Sequence, residues 1–229
     1  MIKAVVFDLD HTLFDRYETL RKIVPHFRDY FDISDGVTDE FIYENLSWAD
    51  RQFVHRGWEE IHTHLIDIGV FNTPPEFNDY TEYLLSWFRK IAVKYEFSED
   101  ILNALREKGY KTGIITNGDH ETQTGKLELL GFKNLVDEVI ISGDIGIYKP
   151  DKRIFENMAQ RLSVDINEMM YVGDHPKFDV DGSRRAGCVP VWVKTTGTWI
   201  FPEIEKCKYQ IENVSEIFNV LNDINAKGN

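Results

Sequence analysis

Uninterrupted apolar runs rich in Val and Ile recur five times along the chain, at 2–7, 112–116, 138–142, 169–172 and 189–193. A strand with one face in water alternates apolar and polar residues. These runs do not, so they predict strands buried on both faces of a parallel sheet. Helical patterns with readable ends lie between them. Ser98 is placed to cap a helix over 101–108 before Gly109, and Asp151 to cap one over 153–162 after Pro150. After Ser215 a last helix is expected, with Val214, Ile217, Phe218 and Leu221 on a core-facing stripe. Strand following helix following strand predicts α/β layering.

The alternation stops between about residues 15 and 94, where every apolar stripe has helical spacing. Leu20, Ile23, Val24, Phe27 and Phe31 make one stripe; Phe41, Leu46, Trp48 and Phe53 suggest a second; Ile61, Leu65 and Ile68 a third; Tyr80, Tyr83, Leu84, Trp87 and Phe88 a fourth. Pro25 should break or kink the first of these helices, and 72–75 reads as a loop. The stretch is expected to be an inserted all-helical domain. Most of its aromatic residues should form its own core, while Glu44, Trp48, Arg51 and Arg56 are the candidates for substrate contact.

In open α/β sheets ligands bind beyond the carboxyl ends of the strands. The polar residues at those ends are Asp8 and Asp10, Thr116 and Asn117, Asp144 with Lys149 downstream, and Asp174. Carboxylates gathered from several strands raise one another's pKa unless a cation lies among them. Oxygen-only ligands suit Mg²⁺, and nothing in the set suits zinc. Lys149 adds a second positive centre, and Thr116 with the amides near Asn117 and Gly118 can donate to an anion. Together these describe a phosphoryl site. Asp8 is the candidate nucleophile, forming an aspartyl phosphate; Asp10 is the candidate acid that protonates the leaving oxygen and then the base that activates water.

Charge limits the partners. With 26 Lys+Arg against 39 Asp+Glu, 26 − 39 gives −13, which disfavours a broad nucleic-acid or anionic-membrane surface but leaves room for local binding of a small phosphorylated metabolite. No apolar run approaches the length of a spanning helix and the acidic start lacks a signal-peptide core, so the expected location is cytoplasmic. Cys188 and Cys207 stand in no Cys-x-x-Cys pair, and are expected to be reduced and structural.

The run Asp8-Leu9-Asp10-His11-Thr12, the Thr116-Asn117-Gly118 strand end, Lys149-Pro150-Asp151, and Gly173-Asp174 with Asp179 resemble, in order and spacing, the four motifs of the haloacid dehalogenase-like hydrolases. Each motif is short. Four in sequence, across nearly the whole chain, are specific. The resemblance implies a Rossmann-like three-layer core over 1–14 and 95–229, with a helical cap over 15–94 inserted after the first motif. It implies Mg²⁺ held by the Asp8 carboxylate, the Asp10 main-chain carbonyl and the Asp174 carboxylate, with Asp179 supporting the metal's waters. Phosphate would be held at Thr116, Asn117 and Lys149. Two departures stand out: His11 occupies a position often held by Gly, and Asp181 competes with Asp179 for the last role.

Plainer readings exist for each residue. Asp8 and Asp10 could cap a turn, Lys149 could be a solvated lysine, Thr116 could simply end a strand, and Asp179 could be the N-cap of a helix running to Ala186. Histidines 62, 64, 120 and 175 are scattered, with His175 the best placed to line a site. The expected activity is Mg²⁺-dependent hydrolysis of a small phosphomonoester, a nucleoside monophosphate or a sugar or glycolate phosphate. The rivals are a sugar phosphomutase, a haloacid dehalogenase, disfavoured by Asp10, and a non-catalytic phospho-acceptor module, disfavoured by the large insert. Hinges are expected near 14–16 and 92–97.

Overall fold

The computed structural model describes residues 1–53, 57–196 and 199–227 of the 229. Six parallel strands, β1 (Ala4–Phe7), β2 (Lys111–Thr116), β3 (Glu138–Ile141), β4 (Met169–Gly173), β5 (Val189–Val193) and β6 (Tyr209–Ile211), form one sheet in the order β3-β2-β1-β4-β5-β6. The order reverses direction beside β1, the place where a doubly wound sheet opens a crevice at its carboxyl edge. The five apolar runs are the first five strands. The sixth, only three residues long, carries no apolar run of its own.

The helices are α1 (Arg16–Ile23), α2 (Asp39–Phe53), α3 (Trp58–Asp67), α4 (Phe77–Phe88), α5 (Ser98–Glu107), α6 (His120–Leu130), the short α7 (Ser142–Ile145), α8 (Lys152–Leu162), α9 (Gly182–Ala186) and α10 (Ile217–Lys227). On one sheet face Ala4, Val6, Ile115, Ile140, Met169 and Tyr171 pack with Ile154, Phe155, Met158 and Leu162 of α8. Each fully buried large side chain there contributes about 1.5–3 kcal/mol. Alternation sends Val5 and Phe7 of β1 to the opposite face, and both are also fully buried, as an uninterrupted apolar run requires. Asp151 caps α8 as expected, accepting from Arg153 N at 3.0 Å. Ser98 does not cap its helix: it is the first residue of α5, and its Oγ donates to Leu13 O at 2.9 Å. Among the described residues no helix is long and apolar enough to cross a membrane.

The chain divides into two compact units, Met1–Asp15 with Lys94–Asn229, and Arg16–Val93. The second unit holds α1 to α4. Pro25 ends α1, and the chain continues as a 3₁₀ helix over Val24–Asp29. Phe27, Phe31, Tyr80 and Tyr83 are buried together, with Phe27–Tyr83 and Phe31–Tyr83 edge-on at 5.5 and 4.7 Å. On α2 the buried face is Ile42, Leu46 and Ala49, while Phe41 and Trp48 are exposed, so the stripe expected there is displaced. The unit also buries an ion pair. Arg16 places two nitrogens on Asp50, at 2.8 Å for Nη2, with its guanidinium 4.9 Å from the ring centres of both Trp58 and Phe88.

In the first unit, the segments leading out and back run side by side. Phe14 and Lys94 form an antiparallel bridge, and Tyr95 N donates to Leu13 O at 3.2 Å.

Candidate active site

The polar ends of β1, β2 and β4 lie beside one another at the carboxyl edge of the sheet. Asp8 N donates to Val172 O at 2.9 Å, which extends the β1–β4 ladder by one residue and sets Asp8 next to the end of β4. The chain then turns sharply: Leu9 O accepts from Leu13 N and Phe14 N at 3.0 and 2.9 Å. His11 sits in this turn at φ +60°, a left-handed conformation that glycine adopts without strain and that costs other residues about 1–2 kcal/mol. That is the physical reason for the glycine commonly found at this position of the resembled motif.

At β4, Gly173 cannot be any other residue without movement, since a Cβ there would stand 2.5 Å from Asp179 Cγ. Asp179 lies in a wide, π-type turn over Pro176–Asp181, and its Oδ2 accepts from His175 N at 2.9 Å. Asp179 is therefore not an N-cap; the cap of this turn is His175, whose Nδ1 accepts from Lys177 N and Phe178 N, both at 3.1 Å. Asp174 is anchored through its carbonyl, which accepts from Trp192 Nε1 at 2.7 Å.

Carboxylate oxygens of Asp8, Asp174 and Asp179, all buried, lie within 4.8 Å of one another. Asp181 is elsewhere, paired with Arg185 at 2.8 Å. The Lys149 ammonium enters the cluster and donates to Asp8 Oδ1, to Asp179 Oδ1 at 2.7 Å and to Tyr171 Oη at 3.1 Å. Its three N–H donors thus meet three acceptors. Burial alone would lower the Lys149 pKa, but Asp179 and Asp8 outweigh it and hold the amine firmly charged. Burial pushes the Asp8 carboxyl up to about 7; Lys149 opposes the rise while Asp179 and Asp10 add to it. Asp174 is raised well above the carboxylate range, by burial first and then by Asp179 and Asp8. Were all three carboxyls ionised, −3 + 1 would leave two negative charges uncompensated, and it is this ionisation that the upward shifts of Asp8 and Asp174 oppose. The donor set is all oxygen, and one hard divalent cation supplies the missing charge.

Asp10 stands apart from this cluster. Its carboxylate is held by Lys126 Nζ at 2.9 and 2.6 Å, a lysine only 3% exposed. Thr116 closes β2 with its hydroxyl accepting from Gln123 Nε2. The Asn117 carboxamide is committed to Lys149: its Nδ2 donates to Lys149 O at 3.1 Å, and its Oδ1 accepts from Lys149 N at 2.9 Å. The Gly118 amide donates to Ser142 Oγ at 3.0 Å, so it is engaged by protein, contrary to the expectation that it faces an anion. Asn117 thus holds the loop that carries Lys149.

The other candidates have surroundings of their own. Asp144 pairs with His120 at 2.8 Å, both in solvent. The His175 ring stacks on Phe178 at 4.2 Å, His62 is bound to Pro75 O at 3.0 Å, and His64 lies 4.8 Å from the Trp48 ring. In the helical unit, Glu44 and Trp48 are exposed and Arg51 lies over the Tyr17 ring at 4.5 Å; Arg56 lies outside the described residues. Sequence reasoning missed Gln123, Lys126 and Tyr171. The available signal for the first two was a core-facing stripe of α6, 123, 126, 127 and 130, whose first two members are polar.

Comparison with known proteins points the same way. The chain is 32% identical over 200 residues to a glyceraldehyde 3-phosphate phosphatase from Methanopyrus kandleri, covering 85% of this chain and 84% of that one. It is 27% identical over 202 residues to the pyrimidine 5'-nucleotidase YjjG of Escherichia coli, covering 82% and 84%. A magnesium-bound structure of the HAD-hydrolase YfnB from Bacillus subtilis superposes with a TM-score of 0.78 at 19% identity, over 96% of this chain and 99% of that one, a likeness of fold. The pattern described as haloacid dehalogenase-like hydrolase matches residues 5–193. The chain belongs to the haloacid dehalogenase-like hydrolase family.

Proposed function

We propose that this hydrolase is a Mg²⁺-dependent phosphatase acting on a small phosphomonoester through an aspartyl phosphate on Asp8. The observation that carries the proposal is the buried cluster of Asp8, Asp174 and Asp179, three carboxyl groups within 4.8 Å of one another beside a single Lys149 ammonium. In this reading Asp8, the Asp10 carbonyl and Asp174 hold the cation, with Asp179 behind them. When bound, Mg²⁺ neutralises charge on the carboxylates and the phosphoryl oxygens.

Asp8 attacks phosphorus, and the bond from phosphorus to the ester oxygen breaks while Asp10 gives that oxygen a proton. Asp10 then takes a proton from water, whose oxygen attacks phosphorus and breaks the bond to Asp8. Thr116 and Lys149 hold the phosphoryl oxygens throughout, and Asn117 keeps Lys149 in place through its main chain. The helical unit, Arg16–Val93, is proposed as the cap that selects the substrate. The names of the relatives support small metabolites, from a triose phosphate to a pyrimidine nucleotide, and nucleoside monophosphates and sugar or glycolate phosphates are the classes to assay first.

The test is Asp8→Asn assayed on p-nitrophenyl phosphate with Mg²⁺, alongside an unfolding curve. Loss of phosphate release with the fold retained is expected; retained turnover rejects Asp8 as nucleophile. A panel of phosphate esters, run with and without Mg²⁺, then defines the substrate.

A further inference from the structure

Gln123 belongs to none of the motifs, yet its carboxamide lies among them, 3% exposed on α6. Its Nε2 is in hydrogen-bond contact with Thr116 Oγ1, 2.7 Å from Asn117 O and 3.5 Å from Asp10 Oδ2. The orientation of the amide follows from its neighbours. Exchanging its oxygen and nitrogen would press two carbonyl oxygens together at 2.7 Å with no proton between them. The two N–H bonds of Nε2 therefore go to the two short contacts, Thr116 Oγ1 and Asn117 O.

A threonine hydroxyl owns a single proton. Because Thr116 accepts from an atom that only donates, that proton is directed away from Gln123. We propose that Gln123 is a positioning residue: it commits the Thr116 hydroxyl to donating, so that the site presents a fixed donor to a phosphoryl oxygen. Without Gln123 the hydroxyl is free to turn its proton toward protein, and it meets the phosphoryl group with a lone pair part of the time. The inference rests on the reading of Thr116 as a phosphate ligand.

The experiment is a double-mutant cycle. It follows KM for p-nitrophenyl phosphate and the inhibition constant of inorganic phosphate in the wild type, Gln123→Met, Thr116→Val and the double variant. Gln123→Met is expected to raise both constants about tenfold, the size of one lost neutral hydrogen bond, with kcat changed by less than about threefold. In the Thr116→Val background the same substitution should change them by less than about twofold, since independent sites add and coupled ones do not. Equal losses in both backgrounds, or none with Thr116 present, overturn the proposal. If Gln123→Met does not fold, Gln123→Glu runs the same cycle. Its carboxylate takes the Thr116 proton, so the rise must be larger with Thr116 than without it, and an equal rise overturns the proposal. Thr116→Val with unchanged phosphate affinity would remove the reading of Thr116 beneath it, whereas flat Gln123 variants beside a damaging Thr116→Val remove this inference alone.

Discussion

Both units bury a cation against carboxylate, and they differ in how many carboxyl groups crowd around it. In the helical unit the Arg16 guanidinium meets the Asp50 carboxylate, with two aromatic faces beside it. In the α/β unit Lys149 faces Asp8 and Asp179 with Asp174 alongside, three carboxyl groups to one ammonium. In the first, a guanidinium faces a carboxylate. In the second, carboxyl groups outnumber the ammonium, and burial lifts the pKa values of Asp8 and Asp174; on the proposed reading a divalent cation would supply the missing positive charge.

The comparison is broken most severely at Lys149. Lys149→Met should lower turnover of p-nitrophenyl phosphate by about 10²–10³-fold, as loss of a charged transition-state ligand does. It should also destabilise the metal-free fold by about 3–5 kcal/mol in a urea titration, because buried carboxylates lose their partner. Arg16→Met should cost a similar about 3–5 kcal/mol, read in the same titration, and the double change Arg16→Met with Asp50→Leu should recover most of it. Recovery in the double variant would mark the Arg16–Asp50 contact as architectural, whereas on the proposed reading no apolar exchange at the Lys149 cluster keeps activity.

A smaller effect sharpens the contrast through pH. Asp8 in the folded protein keeps its proton up to about pH 7. In the unfolded chain it releases that proton near its ordinary value of about 3.9. Its contribution to stability is therefore complete at low pH and lost as the pH rises through the folded value. In metal-free protein Asp8→Asn should raise the unfolding temperature by a few °C, an advantage that grows from about pH 4 to about pH 7 and then levels off. Calorimetry should show Mg²⁺ affinity of the wild type rising over the same interval, since the cation competes with protons. The smallest effect concerns the thiols. Burial pushes Cys188 up to about 12 and also raises Cys207, whose Sγ donates to Pro190 O at 3.2 Å. Native protein should thus leave Ellman's reagent unreacted until denaturant is added.

The strands and the acids at their ends were legible because both depend on local pattern. An uninterrupted apolar run has to be a doubly buried strand, and the polar residue closing it falls at the sheet edge. β6 was not legible, since a three-residue strand beside β5 shows no periodicity to read. Phe41 and Trp48 were misplaced because hydrophobic character suggested burial, whereas Ile42, Leu46 and Ala49 already fill the inner face of α2. The supporting residues escaped for the opposite reason. Gln123 and Lys126 look like ordinary solvated positions on a helix, and Tyr171 looks like core, until tertiary structure sets their polar atoms on Thr116, Asp10 and Lys149. Asn117 was found as a candidate ligand residue, and only the folded loop shows that its amide also spans the Lys149 peptide.

The bridge between Phe14 and Lys94 gives the α/β unit a doorway with both jambs in one place. The two residues that flank the excursion are bridged neighbours, so the path of the sheet does not depend on the length of chain between them. A helical excursion that leaves and rejoins the chain at one bridge can vary in sequence without moving the strands whose ends carry Asp8, Thr116 and Asp174.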